Sequence, residues 1–181
     1  LYHRFTLSYR DIEELLAIRG IHTSYESIRH WCLKFPSHYS KKLHKQQGRL
    51  GDLWYLDEVF VSIGGKRQYL WRAVDQDGDT IDVMVQSRRN KRAALREIAP
   101  SQIHIKKQYA NNRAEVSHEP TRQQERQMRR FKSPGQAQRF LSFHGLVNNL
   151  YRQQRHLLSA VHYRILRDQA FTTWKQAVRV D

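Results

Sequence analysis

The stretch from Leu53 to Ser87 constrains the fold most. Leu53-Trp54-Tyr55-Leu56-Asp57-Glu58-Val59-Phe60-Val61-Ser62-Ile63 is rich in β-branched and aromatic residues, the composition of a strand. Gly64-Gly65 follows, a strong hairpin signal because both positions tolerate positive φ. Lys66 to Asp75 reads as a second strand, Gln76-Asp77-Gly78-Asp79 as a second turn, and Thr80 to Ser87 as a third strand. The pattern predicts a three-stranded antiparallel meander. Arg88 to Ile98 then reads as a helix that ends before Ala99-Pro100.

The flanks read as helices. Ser8, with Asp11 three residues on, fits an N-cap with an acidic first turn, and Ile12, Leu15 and Leu16 follow at helical spacing. Gly20 is placed to end that helix. Ser24 caps a second one, with Ile28, Trp31 and Cys32 as its inner face and Pro36 as its stop. Two short helices joined by a tight turn match a helix-turn-helix. Its second helix would present Tyr25, Glu26, Arg29 and His30 to base edges or phosphates. An ordinary helical hairpin fits the same pattern. Residues 37–51 look like a basic linker that carries some helix. Asn111-Asn112 caps a helix through Glu115, and Pro120 interrupts it. Arg122, Arg126, Arg129 and Arg130 then recur at helical spacing, with Lys132 beyond, a stripe suited to phosphates or to plain solvation. Gln136 to Leu150 and Ser159 to Val178 complete the helical part.

Charge is distributed unevenly along the 181 residues. Residues 1–50 hold 9 Lys/Arg and 4 Asp/Glu, residues 51–100 hold 8 and 8, and residues 101–181 hold 15 and 5. A neutral, acid-containing middle between basic flanks suits a polyanion gripped at the sides, with carboxylates held centrally for a cation. A generic basic nucleic-acid binder would also be this cationic. A single cysteine, Cys32, excludes an internal disulfide framework and a cysteine-rich zinc site. The histidines show no i, i+4 pair around a glutamate, which argues against a zinc peptidase. No apolar run approaches membrane-spanning length and no leader pattern is visible, so a soluble cytosolic protein is expected. The absent initiator Met suggests a fragment or a trimmed gene.

Two carboxylates stand out. Asp57 lies inside an otherwise apolar and aromatic strand, where a carboxylate is costly unless paired. Its neighbour Glu58 must point to the opposite face. Glu115 sits one turn into a helix, among cations. A surface acid and a salt-bridged helix glutamate fit them equally well when each is taken alone. Together they could hold Mg²⁺ or Mn²⁺ for phosphoryl transfer, since hard oxygen ligands select such ions. Asp75, Asp77, Asp79 and Asp82 read as turn residues.

The chain resembles the DDE transposases of prokaryotic insertion sequences, in particular the replicative, cointegrate-forming family. The matching stretches are Leu7 to Leu16 with Arg19-Gly20-Ile21, Trp54 to Val61, Gly65 to Asp75, Gln86-Ser87-Arg88-Arg89, Asn111-Asn112-Arg113-Ala114-Glu115, and Glu125 to Ser133. The resemblance implies an α/β chain. It would have a helix-turn-helix over 1–36, a basic linker over 37–51, a truncated ribonuclease H-like domain over 52–150 and a basic helix over 151–181. It implies that Asp57 and Glu115 are catalytic metal ligands for Mg²⁺ or Mn²⁺. Double-stranded DNA at the element's terminal inverted repeats is the implied partner, contacted by Tyr25, Arg29, His30, Arg122, Arg126, Arg129, Arg130 and Lys132. A homo-oligomer is implied as well, with no small-molecule substrate. The family's second Asp, in a Thr-Asp-Lys context on a fourth strand, is missing between Asp57 and Glu115. The expectation is an internally deleted copy with impaired catalysis, or a non-catalytic remnant that interferes with an intact transposase.

Overall fold

The computed structural model describes residues 1–46, 51, 53–98, 122–123, 125–126, 128, 131–152 and 157–179. Helices α1 (Tyr9–Ala17), α2 (Tyr25–Lys34) and α3 (Pro36–Gln46) come first. Strands β1 (Trp54–Ile63), β2 (Lys66–Asp75) and β3 (Thr80–Gln86) follow, and then α4 (Lys91–Ile98), α5 (Pro134–Tyr151) and α6 (Ala160–Val178). The sheet is the expected meander, with strand order β1-β2-β3.

Local chemistry sets the boundaries. Ser8 and Asp11 form a reciprocal capping box at α1, the serine Oγ accepting from the Asp11 N–H at 3.1 Å. Ser24, Ser133 and Ser159 cap α2, α5 and α6, each side chain accepting from the backbone N–H three residues on. Gly64 and Gly65 both take positive φ, 57° and 77°, as a two-residue hairpin requires. Pro36, expected only to end α2, also opens α3, where its missing N–H costs nothing. The segment read as a linker therefore begins with ten helical residues, 37–46.

The sheet has a core on each face. Val59, Val61 and Ile63 of β1 join Leu70 and Val83 beneath Phe140 and Leu141 of α5, with Ile12 and Ile28 closing the far side. On the opposite face, Leu56, Trp71 and Ala73 pack against Ala94 and Ile98 of α4. A third cluster of Leu43, Phe143, Leu146 and Val147, with Trp174 against it, joins α3 and α6 to α5. One aromatic expectation changes: Trp31 is 47% exposed rather than inward. Phe60 of β1 is 53% exposed, its ring lying against Tyr69 and Arg67.

Helix α5 also closes the outer edge of β3. The Gln138 side chain accepts from the Val85 N–H at 2.8 Å and donates to the Val83 carbonyl at 2.7 Å. Asn149 does the same to both backbone groups of Thr80, at 2.8 and 2.7 Å. Eleven residues separate the two amides, about three helical turns, so both reach the same strand. Each one imitates a missing neighbour strand and blocks edge pairing. Gly145 lies between them, where a Cβ would come within 2.9 Å of the Thr80 side chain. Replacing Asn149 with Ala strands two backbone groups and is expected to lower stability by about 1–3 kcal/mol. Urea melts check this, and an unchanged midpoint contradicts it. Among the described residues the outer edge of β1 makes one parallel bridge, Ile63 to Phe131.

Candidate active site and DNA-facing residues

Alternation along β1 places Asp57 on the same face as Val59 and Val61, turned toward the α5 layer and half-buried. Its direct cross-strand partner is Arg72 of β2, so the two side chains leave the same face of the sheet. Arg72 is 2% exposed. Burial, and secondarily the charge of Arg152, push its guanidinium down to about 10. That is still far above neutrality, so Asp57 shares its face with a buried, charged cation. Glu58 points the other way, as expected, and pairs with Arg89. Nothing in the local sequence singled out Arg72. Only the strand register, with Leu70 and Val74 flanking it on one face, makes its burial visible.

Asp75, Asp79 and Asp82, read as turn residues, do not join Asp57. Asp75 is buried and holds its own turn, its Oδ1 accepting from the N–H groups of Asp77 and Asp79 at 3.0 and 2.9 Å. Its Oδ2 accepts from the Gly51 N–H at 3.1 Å. Asp79 lies in the same turn, where burial first and the Asp75 charge second push its carboxyl up to about 6. Asp82 opposes Ala73 and so leaves the sheet on the face away from Asp57. Glu115, Arg129 and Arg130 lie outside the described residues.

The other residues expected to face DNA are spread over two regions. On α2, Tyr25 lies under Arg10 of α1 at 4.7 Å, Arg29 pairs with Glu26 at 2.8 Å, and His30 is exposed. Arg122 and Arg126 are helical and exposed, and Lys132 is exposed beside the α5 N-cap. A hard divalent cation needs several oxygen donors. Among the described residues no group of three His, Cys, Asp or Glu side chains is arranged to hold a metal. Asp57 with a guanidinium opposite does not by itself make such a site.

With this geometry in place, comparison with known proteins is direct. A family model described as a DDE domain matches residues 51–99 and 95–154, more than half of the chain. The chain belongs to the DDE transposase family of insertion sequences. The two matched segments hold Asp57 and Glu115 respectively, and they meet at residues 95–99 within and just beyond α4. Among similar proteins, the transposase for the insertion sequence-like element IS431mec of Staphylococcus aureus is 38% identical over 96 residues. That alignment covers 51% of this chain and 42% of the relative. The Staphylococcus aureus transposase for the insertion sequence element IS257 in transposon Tn4003 is 36% identical over 96 residues, with the same coverage. The chain thus spans less than half the length of these relatives, as a truncated copy would. No solved structure gives a significant match.

In this DDE transposase chain the sheet, α4 and α5 form a truncated ribonuclease H-like domain, with α1–α3 preceding it. DNA is the partner that the family implies, and the family works with divalent metal. Among the described residues no helix is long and apolar enough to cross a membrane.

Proposed function

We propose that this chain is a DNA-binding transposase with an incomplete catalytic centre. Helices α1 and α2 act as a helix-turn-helix that recognises the terminal repeats of its element. Arg122, Arg126, Arg129, Arg130 and Lys132 grip the DNA backbone. Asp57 and Glu115 are the two retained acids of a centre that cleaves and transfers DNA strands with Mg²⁺ or Mn²⁺ in complete family members.

One observation carries the reading. The family match breaks in two at residues 95–99, and no Thr-Asp-Lys segment lies between Asp57 and Glu115. Of the acids that do lie there, Asp82 turns away from Asp57 and Asp75 holds its own loop. Removing one positioned electrostatic element from a catalytic site costs on the order of 10² to 10³ in rate. A lost metal ligand also weakens the clamp on attacking and leaving oxygens. DNA binding depends on other elements and survives that loss.

A gel shift tests the binding half. Duplex carrying the element's end should be retained over scrambled duplex at moderate salt, where non-specific phosphate contacts weaken. Equal retention of the two duplexes would remove the terminal-repeat assignment.

A further inference from the structure

Helix α3 is pinned from inside by Leu43 and Tyr39, which join the cluster built on α5 and α6. Its outward direction is therefore fixed. His38, Lys41 and Lys45 are all exposed and recur at i, i+3 and i+7, one line along the helix. Among the described residues no ion pair ties this line to an acid. From Ser27 to Gly51 the chain carries Arg29, Lys34, Lys41, Lys42, Lys45 and Arg49 and no Asp or Glu. On α2, by contrast, Arg29 is tied to Glu26. Lys42 faces elsewhere, its Nζ donating to the Arg179 carbonyl at 2.9 Å.

We propose that His38, Lys41 and Lys45 form a surface that tracks the phosphate backbone of duplex DNA beside the helix-turn-helix. The proposal rests on the reading that the chain binds DNA. Seven helical residues advance roughly 10 Å. That length matches about three phosphates at 3.4 Å of axial rise per strand. Lysine ammonium groups are point charges that suit phosphate oxygens without reading bases. The surface therefore adds affinity equally to any sequence, while α2 supplies the discrimination.

The test is fluorescence anisotropy of the full chain, using labelled end-repeat and scrambled duplexes between 50 and 200 mM KCl. The double substitution K41Q/K45Q should weaken binding to both duplexes by the same factor. It should also flatten the salt slope by about 2, so that the fourfold rise in salt weakens it roughly tenfold less than wild type. K42Q removes one like charge from the same helix and should change the slope by less than half of one unit. Circular dichroism melts confirm that the variants remain folded. The surface is overturned if the double variant keeps the wild-type slope, if it loses only the end-repeat duplex, or if K42Q flattens the slope as much per charge. Wild-type chain that binds neither duplex would instead overturn the DNA-binding reading itself.

Discussion

Between pH 7 and 5, His3 and His144 are together expected to cost the fold about 4 kcal/mol of stability. Both rings are buried. Burial first, then the neighbouring His144, pushes His3 down to about 3. Burial pushes His144 down to about 4, against an opposing hydrogen bond to His3. The His144 tautomer follows from its partners. Its Nδ1–H must donate to the His3 carbonyl at 2.9 Å, so Nε2 accepts from the Asn148 amide at 2.9 Å. The Asn148 oxygen is held in turn by Arg4 at 3.3 Å, which discourages a flip. A second proton on His144 would therefore meet a donor. The folded-state pKa values lie below the unfolded value near 6.5, so the unfolded state gains protons first as pH falls. Stability is present above about pH 6.5 and is lost below it, by about 2 kcal/mol per ring at pH 5. Asp79 acts in the opposite direction, since its carboxyl is raised to about 6. It is only partly buried, so solvent screening reduces its share. Urea melts at pH 7, 6 and 5 read the effect, and His144→Gln should remove about half of it. A midpoint that does not move between pH 7 and 5 contradicts the account.

Phe140→Ala is expected to cost about 3–5 kcal/mol, the range for truncating a buried aromatic. Phe140 is 5% exposed and joins three parts of the fold. It stacks on His3 at 4.9 Å and on His144 at 5.3 Å, and meets the Tyr2 ring edge-on at 5.8 Å. It also tilts against Phe131 at 5.8 Å, the residue that bridges to β1. Truncation leaves a void that rigid rings cannot fill by rotation. Typical domains are stable by only 5–15 kcal/mol, so the loss is a large fraction of the total. Phe140→Leu keeps most of the volume and should cost about 1 kcal/mol. Chemical denaturation distinguishes the two variants. Equal midpoints for Ala and Leu would show that the ring contacts contribute little. The effect and the acid effect are not additive, because Phe140 touches both histidines.

The punctuation of the chain was legible because it depends on local chemistry. The glycine pair at 64–65 and the serine caps Ser8 and Ser24 act within a few residues of themselves, and each marks a true boundary. Helix α3 was harder to read. Its inner face is made by Pro36, Tyr39 and Leu43, and the last two are met by distant α5 and α6. Arg72 reads as a surface cation until the register puts it opposite Asp57. The outward turn of Trp31 and Phe60 likewise depends on which neighbours arrive, which no local pattern encodes. Of the candidate centre, Asp57 lies on β1, while Glu115 lies outside the described residues. That no Thr-Asp-Lys segment lies between them is a property of the sequence itself.

The most direct measurement is strand transfer by the purified chain on terminal-repeat DNA, with Mg²⁺ or Mn²⁺ and an intact family member assayed alongside. Joined product at least 10²-fold below that of the intact enzyme, and unaffected by Asp57→Asn, is the predicted result. Robust joining that Asp57→Asn abolishes would show a working centre and contradict the account.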